Sequence, residues 1–477
     1  MPQASFYWHD YETWGANPRV DRPAQFAGIR TNAELEVIDQ PLMLYARPSV
    51  DFLPHPEAVL ITGITPQKAL REGLPEAEFF RRIHHELSRA RTCSVGYNSI
   101  RFDDEVTRFG FYRNFFDPYA HSWQNGNSRW DVLDLMRMTR ALRPDGIEWP
   151  LNERGVTSFK LTDLTAANGI EQQGAHDALV DVRATIEAAR LVKTHQPRLF
   201  DFYYGLRHKQ RVAELVDPRK RGIILHVSGM FPAEQGCLAP LLPLLEHPVN
   251  HNEIICANLR IDPAPLLALS AEELRERLYT PTLDLPPGVE RLPLKGVHLN
   301  KAPAVAPVAT LDPQQAEQWG IDWTCVEQHR DRLLASPDLV ERLREVYSAP
   351  RQFDPVDADS ALYDGFISGD DRRRCDELLQ TSPRELADWP QDHFHDPRLR
   401  VLLFRYRARN FPETLNADET ERWQRFCQGR LIDGDFGAAL TVEQFQQTLL
   451  TLAQQHQDER AQKLLGELSV YAQQLFA

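Results

Sequence analysis

Three short clusters of acidic and imidazole side chains could do chemistry together. The first is His9-Asp10-Tyr11-Glu12-Thr13. On an extended strand, residues two apart face the same side, so Asp10 and Glu12 present two carboxylates together. Like charges that close repel and need a cation, and oxygen-only ligands select hard ions such as Mg2+ or Mn2+. The second cluster is Gly96-Tyr97-Asn98-Ser99-Ile100-Arg101-Phe102-Asp103-Asp104-Glu105. A buried strand ends in Gly-Tyr-Asn and a helix begins near Asp103. One acid there would serve as a helix cap, but three exceed what a cap needs. Asp103 is the stronger candidate ligand, while Asp104 and Glu105 complement the helix dipole. The third is His176-Asp177-Ala178-Leu179-Val180-Asp181, where a helix start offers a proton acceptor (His176) and a ligand (Asp181). Imidazole is suited to deprotonating water near neutral pH. Asp177 is the rival ligand, four residues before Asp181 on the same helix face. Four acids and one His are what phosphodiester hydrolysis with two metal ions requires, the ions sitting about 3.5–4 Å apart.

The surrounding elements must bring these clusters together. Residues 5–12, 25–30, 42–47 and 92–98 read as strands, and 76–91 as a helix with Phe79, Phe80, Ile83 and Leu87 on one stripe. Residues 131–142 and 176–192 are amphipathic helices. This alternation predicts an α/β domain with a mixed sheet over residues 1–195. From 198 to 350 short β-like runs at 223–227, 253–259 and 297–299, among dense prolines, predict a small β-rich barrel with helical insertions. Residues 351–355 read as a linker, and 354–477 as a helical domain.

The 54 Lys and Arg residues against 68 Asp and Glu leave a net charge of −14. A general phosphate-attracting field is therefore absent, and any nucleic acid must be gripped by a local groove. Residues 108–130 offer Arg and aromatic faces of the kind that bind single strands. The aromatics from Tyr119 onward lie in a loop rich in Asn, Ser and Gly, which predicts exposure. Lys209, Arg211, Arg219, Lys220 and Arg221 form a second basic set, and Lys295 and Lys301 flank the last β-run. Six scattered cysteines predict neither a zinc site nor a disulfide framework, which suits a reducing cytoplasm. No run reaches the ~20 apolar residues of a membrane span, and the N-terminus lacks the features of a secretory signal.

The order Asp-x-Glu, Asp, His-x-x-x-x-Asp is similar to the DEDDh class of 3′→5′ exonucleases, and Ile61-Thr62-Gly63-Ile64-Thr65 looks like that class's turn approaching the terminal base. Within that class the chain more specifically resembles bacterial exonuclease I. It rests on the segment containing His9-Asp10-Tyr11-Glu12-Thr13, on Asp21-Arg-Pro-Ala-Gln-Phe26, Arg101-Phe-Asp-Asp-Glu-Val-Thr-Arg108, Phe111-Tyr-Arg-Asn-Phe115, His226-Val-Ser-Gly-Met-Phe231 and Tyr406-Arg-Ala-Arg-Asn-Phe-Pro412, and so covers nearly the whole chain. The resemblance implies a ribonuclease H-like exonuclease domain, an SH3-like barrel and a C-terminal helical domain that clasp a single strand of DNA. It implies two Mg2+ ions (or Mn2+) on Asp10, Glu12, Asp103 and Asp181, with His176 as general base. It implies substrate contacts from Arg108, Tyr119, Trp123 and Arg137, and Glu12, Lys209 and Lys301 are further candidate substrate contacts. Lys160 stands where the family has Arg, which keeps the charge and loses the bidentate fork. The implied partners are single-stranded DNA and the acidic tail of single-stranded DNA-binding protein, for a monomeric DNA-repair enzyme. The rival readings are an exoribonuclease that trims RNA ends and a non-catalytic DNA-binding scaffold.

Overall fold

The first strand, β1 (Ser5–Thr13), divides its side chains between two faces. Tyr7 and Tyr11 enter a core with Phe26, Phe79, Phe80 and Phe111. Phe6 and Trp8 are buried on the other side, and by the two-residue period Asp10 and Glu12 continue that side. An apolar face thus turns acidic at its carboxyl end. β2 (Pro23–Thr31) is antiparallel to β1, β3 (Leu42–Tyr45) is antiparallel to β2, and β4 (Thr92–Gly96) is parallel to β1. With β5 (Ser128–Asp131) they form a mixed sheet of order β3-β2-β1-β4-β5. β1 and β4 pair only over Ser5–Trp8 against Thr92–Val95. They therefore part before Asp10, opening a crevice at the carboxyl ends of two parallel strands, where α/β sheets bind ligands.

The computed structural model describes residues 3–171, 177–350, 354–390 and 392–475. Its compactness groups them into two units that do not follow chain order. One comprises Met1–Ser128, Gln172–Ile186 and Asp354–Ala477; the other comprises Arg129–Glu171 and Glu187–Phe353. No helix among the described residues is long and apolar enough to cross a membrane.

In the first unit, helix Glu76–Leu87 buries Phe79, Phe80, Ile83 and Leu87, the stripe that its periodicity predicts. It ends at Leu87, four residues earlier than the expected 91, and Arg91 itself has a positive φ of 60°, which a helix cannot include. Strand β4 likewise stops at Gly96 rather than 98, since Asn98 has φ 64°. Helix Asp103–Arg113 follows, and Gly110 lies where any Cβ would overlap the Phe80 ring. Phe109, Tyr112 and Phe115 then pack against Leu378, Leu402 and Tyr406 of the C-terminal helices and against Phe394 between them. A buried ion network ties the same parts together. Asp359 meets Arg22 (3.3 Å), Arg405 (3.2 Å), Arg409 (2.5 Å) and Arg430 (3.5 Å), and Arg409 also holds Asp51 at 2.8 Å.

The second unit contains an antiparallel sheet of order β10-β6-β7-β8-β9. Its strands are β6 (Ile224–Val227), β7 (Leu238–Glu246), β8 (Glu253–Asn258), β9 (Leu294–His298) and β10 (Ala304–Pro307). Three of these were expected, with β9 beginning three residues before the predicted 297. β7 was not expected, because Pro240 and Pro243 argue against a central strand. The strand accommodates Pro243 with an irregularity before Leu245, while Pro240 keeps the register opposite Leu225. The expectation of exposure fails for Trp130, which is fully buried edge-on to Phe200 at 5.2 Å.

Candidate active site

Carboxylate oxygens of Asp10, Glu12 and Asp181 lie within 4.8 Å of one another, each on a half-buried residue. β1 supplies the first two, and the first turn of helix Ala178–His195 supplies the third. Asp103 stands beside them at the start of its helix. It is 3% exposed, and its Oδ1 accepts the Tyr11 amide proton at 3.1 Å, on the backbone between the two β1 acids. Asp103 is not one of the three within 4.8 Å.

The cluster is electrostatically frustrated. Burial, and then Asp103, Glu12 and Asp181, push the Asp10 carboxyl well above the usual range. Burial followed by Asp181, Asp103 and Asp177 pushes Glu12 up to about 8. Both shifts arise from burial and neighbouring carboxylates, so a bound positive charge would relieve them. Oxygen-only donors converging at this distance fit a hard divalent cation.

Of the two rivals, Asp181 belongs to the three-carboxylate group and Asp177 does not. Asp177 Oδ1 accepts the Leu179 amide proton at 3.0 Å, so Asp177 caps the helix, and Asp181 lies one turn further in, at the cluster. His176 lies outside the described residues. Gln25 is a positioning residue that the sequence reading missed. It pairs with Glu12 across β1 and β2, its Oε1 accepts the Ala178 amide proton at 3.1 Å, and its Nε2 donates to Tyr45 Oη at 3.2 Å and to Asp177 at 3.5 Å. It thereby sets the helix carrying Asp181 against the strand carrying Glu12. The available signal was an amide at the third position of a nine-residue strand whose other residues are nearly all apolar or small.

Beside the acids lies a cleft of roughly 830 Å3, lined by Tyr11, Glu12, Ile61, Thr62, Phe102 and Ala438 among others. Gly63, at φ 69°, ends helix Pro56–Thr62, and the Thr65 side chain caps helix Pro66–Glu72. The turn between these two helices leaves Ile61 55% exposed at the cleft. Trp123 is 63% exposed, as its loop predicts, and Tyr119 is half-buried. Arg108 is buried. It bonds Glu105 at 3.0 Å, lies 5.4 Å from the Tyr119 ring centroid and reaches Tyr363 Oη at 3.5 Å. Glu105 does more than complement a helix dipole, since it also accepts from Tyr363 Oη at 2.6 Å.

Arg137, Lys160, Lys209 and Lys301 belong to the second unit. Arg137 pairs with Asp134 at 2.9 Å, Lys160 is exposed at the start of helix Leu161–Ala167, and Lys209 donates to Asn252 at 2.6 Å. Lys301 is half-buried.

Three family models match the chain. They are an exonuclease model over residues 7–189, an exonuclease I SH3-like domain over 207–349 and an exonuclease I C-terminal domain over 356–475. Exodeoxyribonuclease I of Escherichia coli (strain K12) is 46% identical over 475 residues, covering 99% of this chain and 98% of that one. The solved structure of a moderately thermophilic exonuclease I from Methylocaldum szegediense superposes with a TM-score of 0.95 at 48% identity, covering 99% of this chain and all of the other. A zinc-bound complex of the Escherichia coli enzyme with single-stranded DNA gives 0.94 at 44% identity, with both chains covered in full.

Proposed function

This chain belongs to the exonuclease I family, and we propose that it removes nucleotides from the 3′ end of single-stranded DNA, releasing 5′-mononucleotides. The observation that carries this reading is the convergence of Asp10, Glu12 and Asp181 within 4.8 Å beside an open cleft. Asp10, Glu12, Asp103 and Asp181 would hold two divalent ions, Mg2+ in the first instance and Mn2+ as a substitute. When bound, such ions supply an acidified water and charge stabilisation at the scissile phosphate. The remaining work falls to the chain itself. Glu12 faces both the ions and the cleft, and contacts the terminal nucleotide. His176, immediately before the capping Asp177, accepts the water's proton. Gln25 holds the two acid-bearing elements in register. Apolar cleft walls receive the terminal base, and the exposed Trp123 ring offers a stacking face to bases further back. Arg108, Tyr119, Arg137, Lys160, Lys209 and Lys301 are proposed to contact the strand.

Residues 1–195, 198–350 and 354–477 are read as three inherited modules, supported by the ranges of the three matched family models. The physiological role is read as DNA repair by a monomer in the cytoplasm. For the acidic, apolar tail of single-stranded DNA-binding protein, the proposed receptor lies in the second unit. This is a pocket of about 570 Å3 lined by Met138, Leu142, Leu199 and Phe202 together with Arg143 and Arg198, apolar surface combined with cationic groups.

The decisive experiment digests end-labelled single- and double-stranded DNA with and without Mg2+. Ion-dependent release of mononucleotides from the 3′ label of the single strand is expected. Asp10→Ala is expected to abolish release while single-strand binding persists. Full activity in that variant would refute the metal-site assignment.

A further inference from the structure

The cleft beside Glu12 has a wall from the far end of the chain: Gly437, Ala438 and Ala439 line it with Tyr11, Ile61 and Phe102. This turn is held in an unusual backbone shape. After helix Ala417–Gln428 the chain passes through a π-helical turn, Gly429–Asp433, a feature common at functional sites. Gly434, Phe436 and Gly437 then have φ of 76°, 55° and 64°. For Phe436 that region is costly and persists only where the surroundings enforce it. Here they do. Phe436 O accepts from Arg430 Nη1 at 3.1 Å, and its ring lies 5.0 Å from Phe426. Arg430 is 2% exposed and is ion-paired to Asp359 at 3.5 Å. The buried network thus ends on the backbone of a strained turn whose next three residues, all small, line the cleft.

We propose that the turn 434–439 is the size-selecting wall of the cleft for the nucleoside at the 3′ end of the strand, with Ala438 as its specificity-determining position. This rests on the reading that the cleft takes that end. A wall of Gly-Ala-Ala leaves room for a purine as well as a pyrimidine, which suits an enzyme that must accept every base in turn. Enlarging it should exclude the larger base first.

The test is a graded series, Ala438→Gly, Ala438→Val and Ala438→Leu. Each variant is checked by thermal melting and assayed for release of the first nucleotide from oligonucleotides that differ only in a terminal dA or dT. The ratio of KM for the dA end to KM for the dT end should rise from Gly to Leu. The span should be about tenfold, the lower range of what a single methylene does in a binding pocket, while kcat on the dT end changes less. If Leu fails to fold, the order Gly, Ala, Val carries the same sign. A ratio that stays constant across the folded variants overturns the wall. Failure of the wild type to release nucleotides from either oligonucleotide overturns the reading of the cleft itself.

Discussion

Asp359→Asn probes the buried network most directly. Asp359 is 3% exposed and lies within 3.5 Å of four arginines, Arg22, Arg405, Arg409 and Arg430. Amide for carboxylate keeps the shape and removes the charge they share. Arginine cannot escape by losing its proton, so buried positive charges are left short of a counterion. Breaking a buried ion pair from one side costs about 3–5 kcal/mol. At about 2–4 °C per kcal/mol for a body of this size, the melting midpoint should fall by roughly 6–20 °C. The pH dependence is the sharper readout. Arg409 foremost, against the opposing effect of burial, holds the Asp359 carboxyl well below its ordinary value. A depressed carboxylate stabilises the fold at pH above its unfolded pKa, near 4, and that contribution is lost as pH falls through the folded value. The difference in midpoint between wild type and variant should therefore be constant from pH 8 to 5 and shrink below about pH 4. Melting followed by circular dichroism across that range measures it. A difference below 2 °C at neutral pH, or one that grows on acidification, refutes the argument.

The remaining predictions concern other parts of the chain. His84 is held near pKa 4 chiefly by burial, with its ring stacked 4.4 Å from Phe116. The unfolded chain therefore binds more protons there between about pH 4 and 6.5, and His84 should lower stability as pH drops through that window, by roughly 3 kcal/mol at most; His84→Leu should reduce the slope of a melting-versus-pH profile there and leave the share of His9, which burial also lowers to about 4. Trp123→Ala should weaken single-strand binding by about 5- to 150-fold, the range for loss of one stacking ring, with an unchanged melting midpoint, as fluorescence anisotropy would report. Millimolar Mg2+ should raise the wild-type midpoint by mass action and leave that of Asp10→Ala almost unmoved, a calorimetric comparison independent of turnover. Replacing Arg143 and Arg198 together by Ala should abolish binding of an acidic tail peptide while leaving digestion of naked DNA intact, as titration calorimetry and the exonuclease assay would show.

Local patterns in the sequence determine a good deal of this molecule. A strand with period two must present Asp10 and Glu12 on one side, and the stripe of Phe79, Phe80, Ile83 and Leu87 marks a helix whatever it packs against. The acids at 103 and 181 are legible for the same reason, since helix starts carry their own chemistry. Tertiary structure decided which of two acids four residues apart joins the cluster: the packing of the helix on the sheet brings Asp181 within 4.8 Å of Asp10 and Glu12. It decided that Phe109, Tyr112 and Phe115 face the C-terminal helices rather than DNA. It decided that Pro243 sits inside a strand, where an irregularity before Leu245 absorbs it. It also brought Asp359 to Arg22 and Gly437 to the cleft of Glu12. Periodicity and capping act over a few residues and are written in the local order of side chains. Contacts between residues hundreds of positions apart depend on how whole elements pack, and no local pattern encodes that.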